Sequence, residues 1–150
     1  MIPPGGGLTL PAYHTYYGRP VKLLPSPDGG LAMWDFDEET GGWEPANHLV
    51  DEVLFAVGGE VSGRMSKDSF IQTVEAERAL YVEGEGPIFA LYQTIRAIED
   101  ASDEEGRELT KTEEALIAGL RRKTYAMFEA ELVRRGDPGA DVEAAREAGQ

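Results

Sequence analysis

Cysteine is absent from this sequence of 150 residues. Its absence excludes disulfide bonds, thiolate metal sites and cysteine nucleophiles, and it leaves the redox compartment undetermined. Histidine occurs only as His14 and His48. Two isolated histidines make neither a zinc site nor a catalytic triad without further partners at fixed spacing. No motif for enzymatic chemistry is present, so we expect a protein without catalytic residues, cofactor or metal.

Basic side chains and long apolar runs are also scarce. Lys and Arg number 14 against 28 Asp and Glu, which gives a net charge of −14. Nucleic-acid binding requires a basic face that releases counterions, so no nucleic-acid partner is expected. No apolar run approaches the roughly 18 residues that a membrane span needs. The N-terminal residues also lack the pattern of a signal peptide. We therefore expect a cytoplasmic or particle-associated protein with no membrane partner.

Changes in composition divide the chain into three parts. Residues 1–12 contain three of the nine prolines and three consecutive glycines, which is typical of an extended arm. Residues 13–136 are expected to form a single α+β domain, with β structure over 13–45 and helices over 46–136. Residues 137–150 form a polar C-terminal tail that we expect to fray.

The β part is predicted from alternating apolar residues and turn signals. Strands are predicted over 19–24 and 31–36, with a turn at 26–30 between them. A second turn at Gly41 and Gly42 places Trp43 across from the strand that carries Trp34. The two tryptophans are interpreted as a small core beneath this hairpin; an aromatic platform for a sugar or peptide is the alternative.

The remainder has the periodicity of helices. A helix is predicted over 46–57 with Asn47 as its N-cap and Gly58-Gly59 as its stop, and a strand over 51–59 is the alternative. A second helix is predicted over 66–80 with Ser66 as its N-cap. In the second helix, Phe70, Val74 and Tyr81 are predicted to share the buried face. A third helix opens at Pro87.

The last predicted helix begins at a capping box formed by Thr110 and Glu113 and ends at Gly136. It is expected to pack against the helix that opens at Pro87. The predicted fold class is therefore α+β, with a small N-terminal antiparallel sheet or hairpin followed by a mostly helical half that contains an antiparallel helix pair.

The stretch MWDFDEETGGWEP, residues 33–45, concentrates five acidic residues in thirteen positions. Its alternating carboxylates resemble a calcium loop, but an EF-hand needs Gly at position six and an acid at position twelve. Counted from Asp35, those positions hold Thr40 and Ala46. We interpret the stretch as a solvated hairpin tip, with a weak cation site as the alternative.

Three hypotheses for function remain. The first is a non-catalytic subunit that assembles with a protein partner or with copies of itself, as small adaptors of phage particles and injection machines do. The second is an acidic inhibitor that covers a basic, nuclease-like partner, with Asp51 and Glu52 added to its acidic face. The third is a small-molecule enzyme without a recognisable motif. The candidate partner-binding residues are Tyr13, Tyr16, Tyr17, Asp35, Asp37, Glu38, Glu39, Arg121 and Arg122.

Overall fold

The N-terminal half folds into a four-stranded antiparallel sheet in which neighbouring strands follow one another along the chain. The computed structural model describes residues 9–55 and 63–149. The strands are β1 (Ala12–Tyr16), β2 (Arg19–Pro25), β3 (Leu31–Phe36) and β4 (Trp43–Pro45). The predicted strands over 19–24 and 31–36 are confirmed to within one residue.

Helices make up the second half and pack against one another. They are α1 (Val50–Leu54), α2 (Lys67–Tyr81), α3 (Pro87–Glu104), α4 (Lys111–Arg134) and α5 (Val142–Ala148). Ser66 caps α2, Pro87 opens α3, and Thr110 and Glu113 form the capping box of α4. The predicted α+β class is confirmed, including the packing of α3 against α4 across a short loop.

The helix predicted over 46–57 is shorter than expected. A 3-10 turn covers Asn47–Leu49, and α1 ends at Leu54. Asn47 is not an N-cap, because its side-chain oxygen accepts a hydrogen bond of 2.8 Å from the Met33 amide. Asn47 therefore ties this turn to β3. Val57 and the predicted Gly58-Gly59 stop lie outside the described residues.

Both faces of the sheet are covered, and each face has its own hydrophobic cluster. One face carries small and aliphatic residues that pack beneath the 3-10 turn and α1. The other carries aromatic side chains that pack on α2, α4 and α5. The first cluster contains Ala12, Tyr16, Val21, Leu23, Met33, Ala46 and Val53. The second contains Tyr13, Phe36, Trp43, Phe70, Val74, Tyr125, Phe128, Leu132, Ala140 and Ala144, with Trp34 packed against it. The prediction that both tryptophans belong to a core is confirmed.

The segment after Gly136, predicted as a polar tail, carries the short helix α5. Ala140 and Ala144 are buried, and α5 packs along α4. At Gly139 the chain passes so close to the sheet that an added Cβ would lie 2.5 Å from Cβ of Trp43 and 2.8 Å from the Trp34 ring. Small residues therefore let this segment close over the tryptophans, and an averaged polarity does not reveal such a contact.

The buried face of α2 differs from the prediction at one position. Tyr81 is 47 % exposed, whereas Arg78 is fully buried beside Phe70 and Val74. Arg78 was left out of the predicted face because only apolar residues were counted. Helical spacing places Arg78 four residues after Val74 and so on the same face.

Arg78 lies at the centre of a buried ionic network. Its guanidinium contacts Glu75 at 2.9 Å and also Glu129, and all three side chains are fully buried. Tyr92 donates to Glu75 at 2.8 Å. Glu129 also accepts from Nε1 of Trp43 at 3.1 Å. Burial alone raises the pKa of Glu75, and the adjacent Arg78 acts against that rise.

Lys22 is a further buried charge, on the aromatic face of β2. Its side chain is 2 % exposed, and its ammonium lies 4.1 Å from the centroid of the Trp43 ring. Burial lowers the pKa of Lys22 to about 8, although Glu129 and Asp141 act to raise it. The folded protein therefore favours the neutral amine more than the unfolded chain does.

Replacing Lys22 with methionine is expected to remove a pH-dependent part of the stability. Between pH 8 and pH 10 the unfolded chain binds more protons at this lysine than the folded protein does, so the wild type gains stability as pH rises. The difference in unfolding free energy between Lys22→Met and the wild type should shift by about 2 kcal/mol over that range. Urea unfolding at both pH values measures it, and an unchanged difference would contradict a depressed pKa.

Candidate interaction surface

The acidic hairpin tip between β3 and β4 is a tightly hydrogen-bonded turn. The amide of Asp37 donates to the carbonyl of Gly42 at 2.9 Å, and the amide of Gly41 donates to the carbonyl of Asp37 at 2.8 Å. The side chain of Asp37 also accepts from the Glu39 amide at 2.9 Å. Local bonding of this kind is typical of Asp and Gly in turns. The carboxylates at the tip are therefore carried on a fixed backbone.

The interior of the protein holds this tip in place. Nε of Arg78 donates to the carbonyl of Gly41 at 2.9 Å. At the start of β4, just after the turn, the Trp43 amide donates to the Asp137 carboxylate at 3.0 Å. The buried network thus fixes both the hairpin turn and the strand that follows it.

A groove of about 500 Å³ lies beside the hairpin tip, where the α2–α3 connection meets α4. Four side chains form its apolar floor, and four carboxylates stand around it. The floor residues are Val82, Ile88, Phe89 and Phe128, and the acidic residues are Glu39, Glu83, Glu85 and Glu131. Arg135 also lines the groove and lies 3.8 Å from Glu131, which pairs with Arg134 as well, so Glu39, Glu83 and Glu85 supply the net negative charge of the groove. Phe89 can lie flat along the groove because Gly84 has no side chain; an added Cβ there would lie 2.5 Å from the Phe89 ring.

The hairpin and the groove form one continuous acidic surface, because Glu39 lines both the groove and a depression beside Asp37 and Glu44. We call this the acidic surface; its acidic residues are Asp37, Glu38, Glu39, Glu44, Glu83, Glu85 and Glu131. The charge of Asp37, and then a hydrogen bond shared with it, raise the pKa of Glu44. At Glu77, burial and then the charge of Glu38 raise the pKa. Carboxylates that crowd each other in this way are stabilised by an approaching cation.

The three tyrosines that were candidates for partner binding occupy different environments. Tyr13 is buried, and its ring centroid lies 4.5 Å from that of Phe70. Tyr16 is also buried, and its hydroxyl donates to Glu52. Tyr17 alone of the three is exposed, at 68 %. The rings of Tyr16 and Tyr17 pack edge to face with their centroids 4.7 Å apart, whereas Tyr13 belongs to the cluster on the other face of the sheet.

The charged candidates also separate into two groups. Asp37, Glu38 and Glu39 belong to the acidic surface. The other candidates are paired within the chain: Asp35 with Arg19 at 3.2 Å, Arg121 with Glu99 at 3.8 Å, and Arg122 with Asp68 at 2.7 Å. Asp51 and Glu52 lie in α1, and Glu52 accepts from Tyr16.

Sequence reasoning missed the groove half of the acidic surface. Glu83, Glu85 and Glu131 were not among the candidate partner-binding residues. A usable signal was the cluster of acidic residues just before Pro87, followed at once by Ile88 and Phe89. The residues that α4 contributes could not be predicted from local sequence, because Phe128 and Glu131 reach the groove only through the packing of α4.

Comparison with protein-family models, with curated proteins and with solved structures finds no match to this chain. None of the helices over the described ranges is both long and apolar enough to span a bilayer. Within those same ranges, no group of three or more His, Asp or Glu side chains is arranged to hold a metal ion.

Proposed function

We propose that this protein is a non-catalytic interaction subunit that binds a basic segment of another protein on its acidic surface. The observation that carries the proposal is the groove of about 500 Å³ with an apolar floor and a carboxylate rim beside a fixed acidic hairpin. A partner segment that combines an apolar side chain with Lys or Arg matches both features.

The apolar floor supplies what a purely acidic face lacks. Exposed charge pairs contribute little to affinity, typically below about 1 kcal/mol each. An aromatic or aliphatic side chain that enters a groove contributes more, because it removes apolar area from water. The floor is therefore expected to hold an anchoring side chain, and the carboxylates are expected to select basic neighbours on either side of it.

The charges of the chain favour a different protein over a second copy as the partner. Two copies each carry a net charge of −14 and repel one another. Many basic side chains are already paired with acids of the same chain, such as Lys67 with Asp141 and Arg107 with Glu113. They are poorly placed to serve as the basic segment for a neighbouring copy. Light scattering of the purified protein should therefore give the mass of a monomer.

A defined peptide tests the proposal. The probe is a fluorescent, acetylated pentapeptide of sequence Lys-Phe-Lys-Leu-Lys, and its binding is followed by anisotropy. Charge reversal of the groove by Glu83→Lys with Glu85→Lys should weaken binding at least tenfold, which corresponds to about 1.4 kcal/mol. Raising the salt from 0.05 to 0.3 M should also weaken binding, because the Debye length falls below about 10 Å.

The matched control is the double variant Asp103→Lys with Glu104→Lys. Both residues are exposed at the far end of α3, about 24 Å from Pro87 along the helix axis, and the change in net charge is the same. This variant should bind within about threefold of the wild type, since screening removes most of its influence at that distance. Equal weakening by both variants would show a non-specific charge effect. Equally tight binding of a Glu-Phe-Glu-Leu-Glu peptide would overturn the proposal.

A further inference from the structure

A further cavity, of about 190 Å³, lies between β1, β2, α4 and the starts of α2 and α5, and it shares no lining residue with the groove. Its outer part is formed by exposed residues, among them Glu143. Its inner part is formed by Tyr13, Lys22 and Tyr125, all of which are buried. The cavity is therefore a recess that leads from the surface to the Lys22 side chain.

Nothing in the described part of the chain accepts a hydrogen bond from the Lys22 ammonium, and no carboxylate there forms an ion pair with it. The ammonium lies 4.1 Å from the centroid of the Trp43 ring. Every fully buried side-chain nitrogen or oxygen in those residues does have a partner. The nitrogen of Lys22 must therefore still face open space, and this cavity is open space that Lys22 lines. A buried donor without an acceptor is costly, so a ligand that supplies an acceptor is stabilised there.

We propose that this cavity binds a small neutral carbonyl compound, whose oxygen accepts a hydrogen bond from Lys22 and whose carbonyl carbon the Lys22 amine captures reversibly as an imine. The site is independent of the acidic surface. A positive or a negative result at this cavity therefore does not bear on the proposed binding of a partner to the acidic surface.

The charges around the cavity favour a neutral ligand over an anion. The cations facing Lys22 and its surroundings are Lys67 from α2 and Arg78 from α2; the anions are Glu129 from α4, Asp137 and Asp141 from the α4–α5 connection, and Glu143 from α5. Even with Lys22 protonated, these groups sum to one net negative charge. A carboxylate ligand would add to that charge, whereas a carbonyl oxygen satisfies the donor without adding any.

Two lysines line the cavity, and only one is placed to react. Lys67 pairs with Asp141 at 3.0 Å, and although partial burial acts to lower the pKa of Lys67, this partner raises it above the ordinary value. Lys67 therefore stays charged and non-nucleophilic. Lys22 has no such partner, and its lowered pKa of about 8 leaves a substantial fraction of neutral amine near neutral pH.

The reaction balances without any further reagent. The lone pair of the neutral Lys22 amine attacks the carbonyl carbon, and the C=O π pair moves to the oxygen, which becomes a hydroxyl. That oxygen then leaves as water with the two amine hydrogens, and a C=N bond remains. Nothing is oxidised or reduced. Burial raises the pKa of Tyr13, so its hydroxyl is protonated at neutral pH and can donate to the departing oxygen, regaining the proton that the amine loses. The Tyr125 hydroxyl already donates to Asp141 at 3.0 Å.

Reductive trapping tests this site in the full-length protein. The probe is propanal with cyanoborohydride, and the labelled lysine is identified by mass spectrometry. The chain has four lysines, and Lys67 and Lys111 serve as internal controls: one lines the same cavity, and the other has a side chain that is 97 % exposed. At pH 7.5 a lysine of pKa about 8 has about 200-fold more free amine than an unperturbed lysine. We expect Lys22 to be labelled at least tenfold faster than either control.

Binding in the cavity predicts two further results. Propionamide, a neutral carbonyl compound that forms no imine, should slow labelling of Lys22 and leave Lys111 unaffected. In 6 M guanidinium the advantage of Lys22 should vanish. Labelling of Lys111 that is as fast as that of Lys22 in the folded protein would overturn the proposal. So would labelling of Lys22 that propionamide does not slow.

Discussion

Replacing Arg78 with leucine is expected to lower the free energy of unfolding by about 3–5 kcal/mol at pH 7. The guanidinium is fully buried between Glu75 and Glu129, and it also donates to the carbonyl of Gly41. Leucine fills part of the volume but leaves two carboxylates and a backbone carbonyl without their cationic donor. Removing one partner of a buried ion pair is strongly destabilising because the remaining charge stays desolvated.

The penalty should depend on pH in a defined direction. Burial raises the pKa of Glu75, and Arg78 opposes that rise in the wild type. Without Arg78, the folded-state pKa of Glu75 rises further above its unfolded value. The variant therefore recovers stability at low pH, where this carboxyl is protonated, and loses it as pH increases. Chemical denaturation should give a smaller difference from the wild type at pH 5 than at pH 8.

Arg122→Leu is the matched control for Arg78→Leu. Arg122 pairs with Asp68 through two hydrogen bonds, but both side chains are about half exposed. A solvent-exposed ion pair of this kind contributes at most about 1 kcal/mol to the free energy of unfolding. A loss at Arg78 no larger than the loss at Arg122 would contradict the central role assigned to the buried network.

Replacing Gly41 with alanine is expected to be the second most damaging change, at about 2–5 kcal/mol. Its φ of +77° lies in the left-handed region, where a residue with a Cβ lowers the free energy of unfolding by about 1–2 kcal/mol. An added Cβ would also lie 2.5 Å from Cζ of Phe128. That contact forces the packed ring to move, which costs about 1–3 kcal/mol more. Thermal and urea unfolding of the variant measure the sum.

Gly136→Ala separates the two contributions at Gly41. Gly136 follows α4 with a φ of +80°, and an added Cβ would have no atom within 4 Å among the described residues. This variant should therefore show only the backbone cost of about 1–2 kcal/mol. Equal losses at both glycines would mean that the contact between Gly41 and Phe128 contributes nothing.

Local signals were sufficient to predict most of the fold. Strand alternation located β2 and β3, and caps at Ser66 and Thr110 located the starts of α2 and α4, because these patterns act within a few residues of the chain. Two features of the fold were not predicted because residues were judged by type alone. Arg78 was left out of the predicted buried face, which counted apolar residues only, and the close approach of Gly139 to the sheet was not predicted because this segment was interpreted as a polar tail.

Both omissions have the same physical origin. A buried arginine is stable only when acids from elsewhere in the chain meet it, and here Glu129 lies 51 residues away. Likewise, Gly139 contacts Trp34 and Trp43, which lie far from it in the sequence. The acidic hairpin was found because it is contiguous in sequence. The groove beside it was not, because Phe128 and Glu131 come from α4.

The most direct test of the proposed function is to locate the bound peptide on the folded protein. Wild-type protein labelled with ¹⁵N is titrated with the Lys-Phe-Lys-Leu-Lys peptide, and the amide shifts are mapped. Binding on the acidic surface predicts the largest shifts at Glu39, Thr40, Gly84 and Phe89, and loss of those shifts in the Glu83→Lys, Glu85→Lys variant. Shifts that concentrate elsewhere on the protein, or that persist unchanged in that variant, would contradict the assignment of this surface as the binding site.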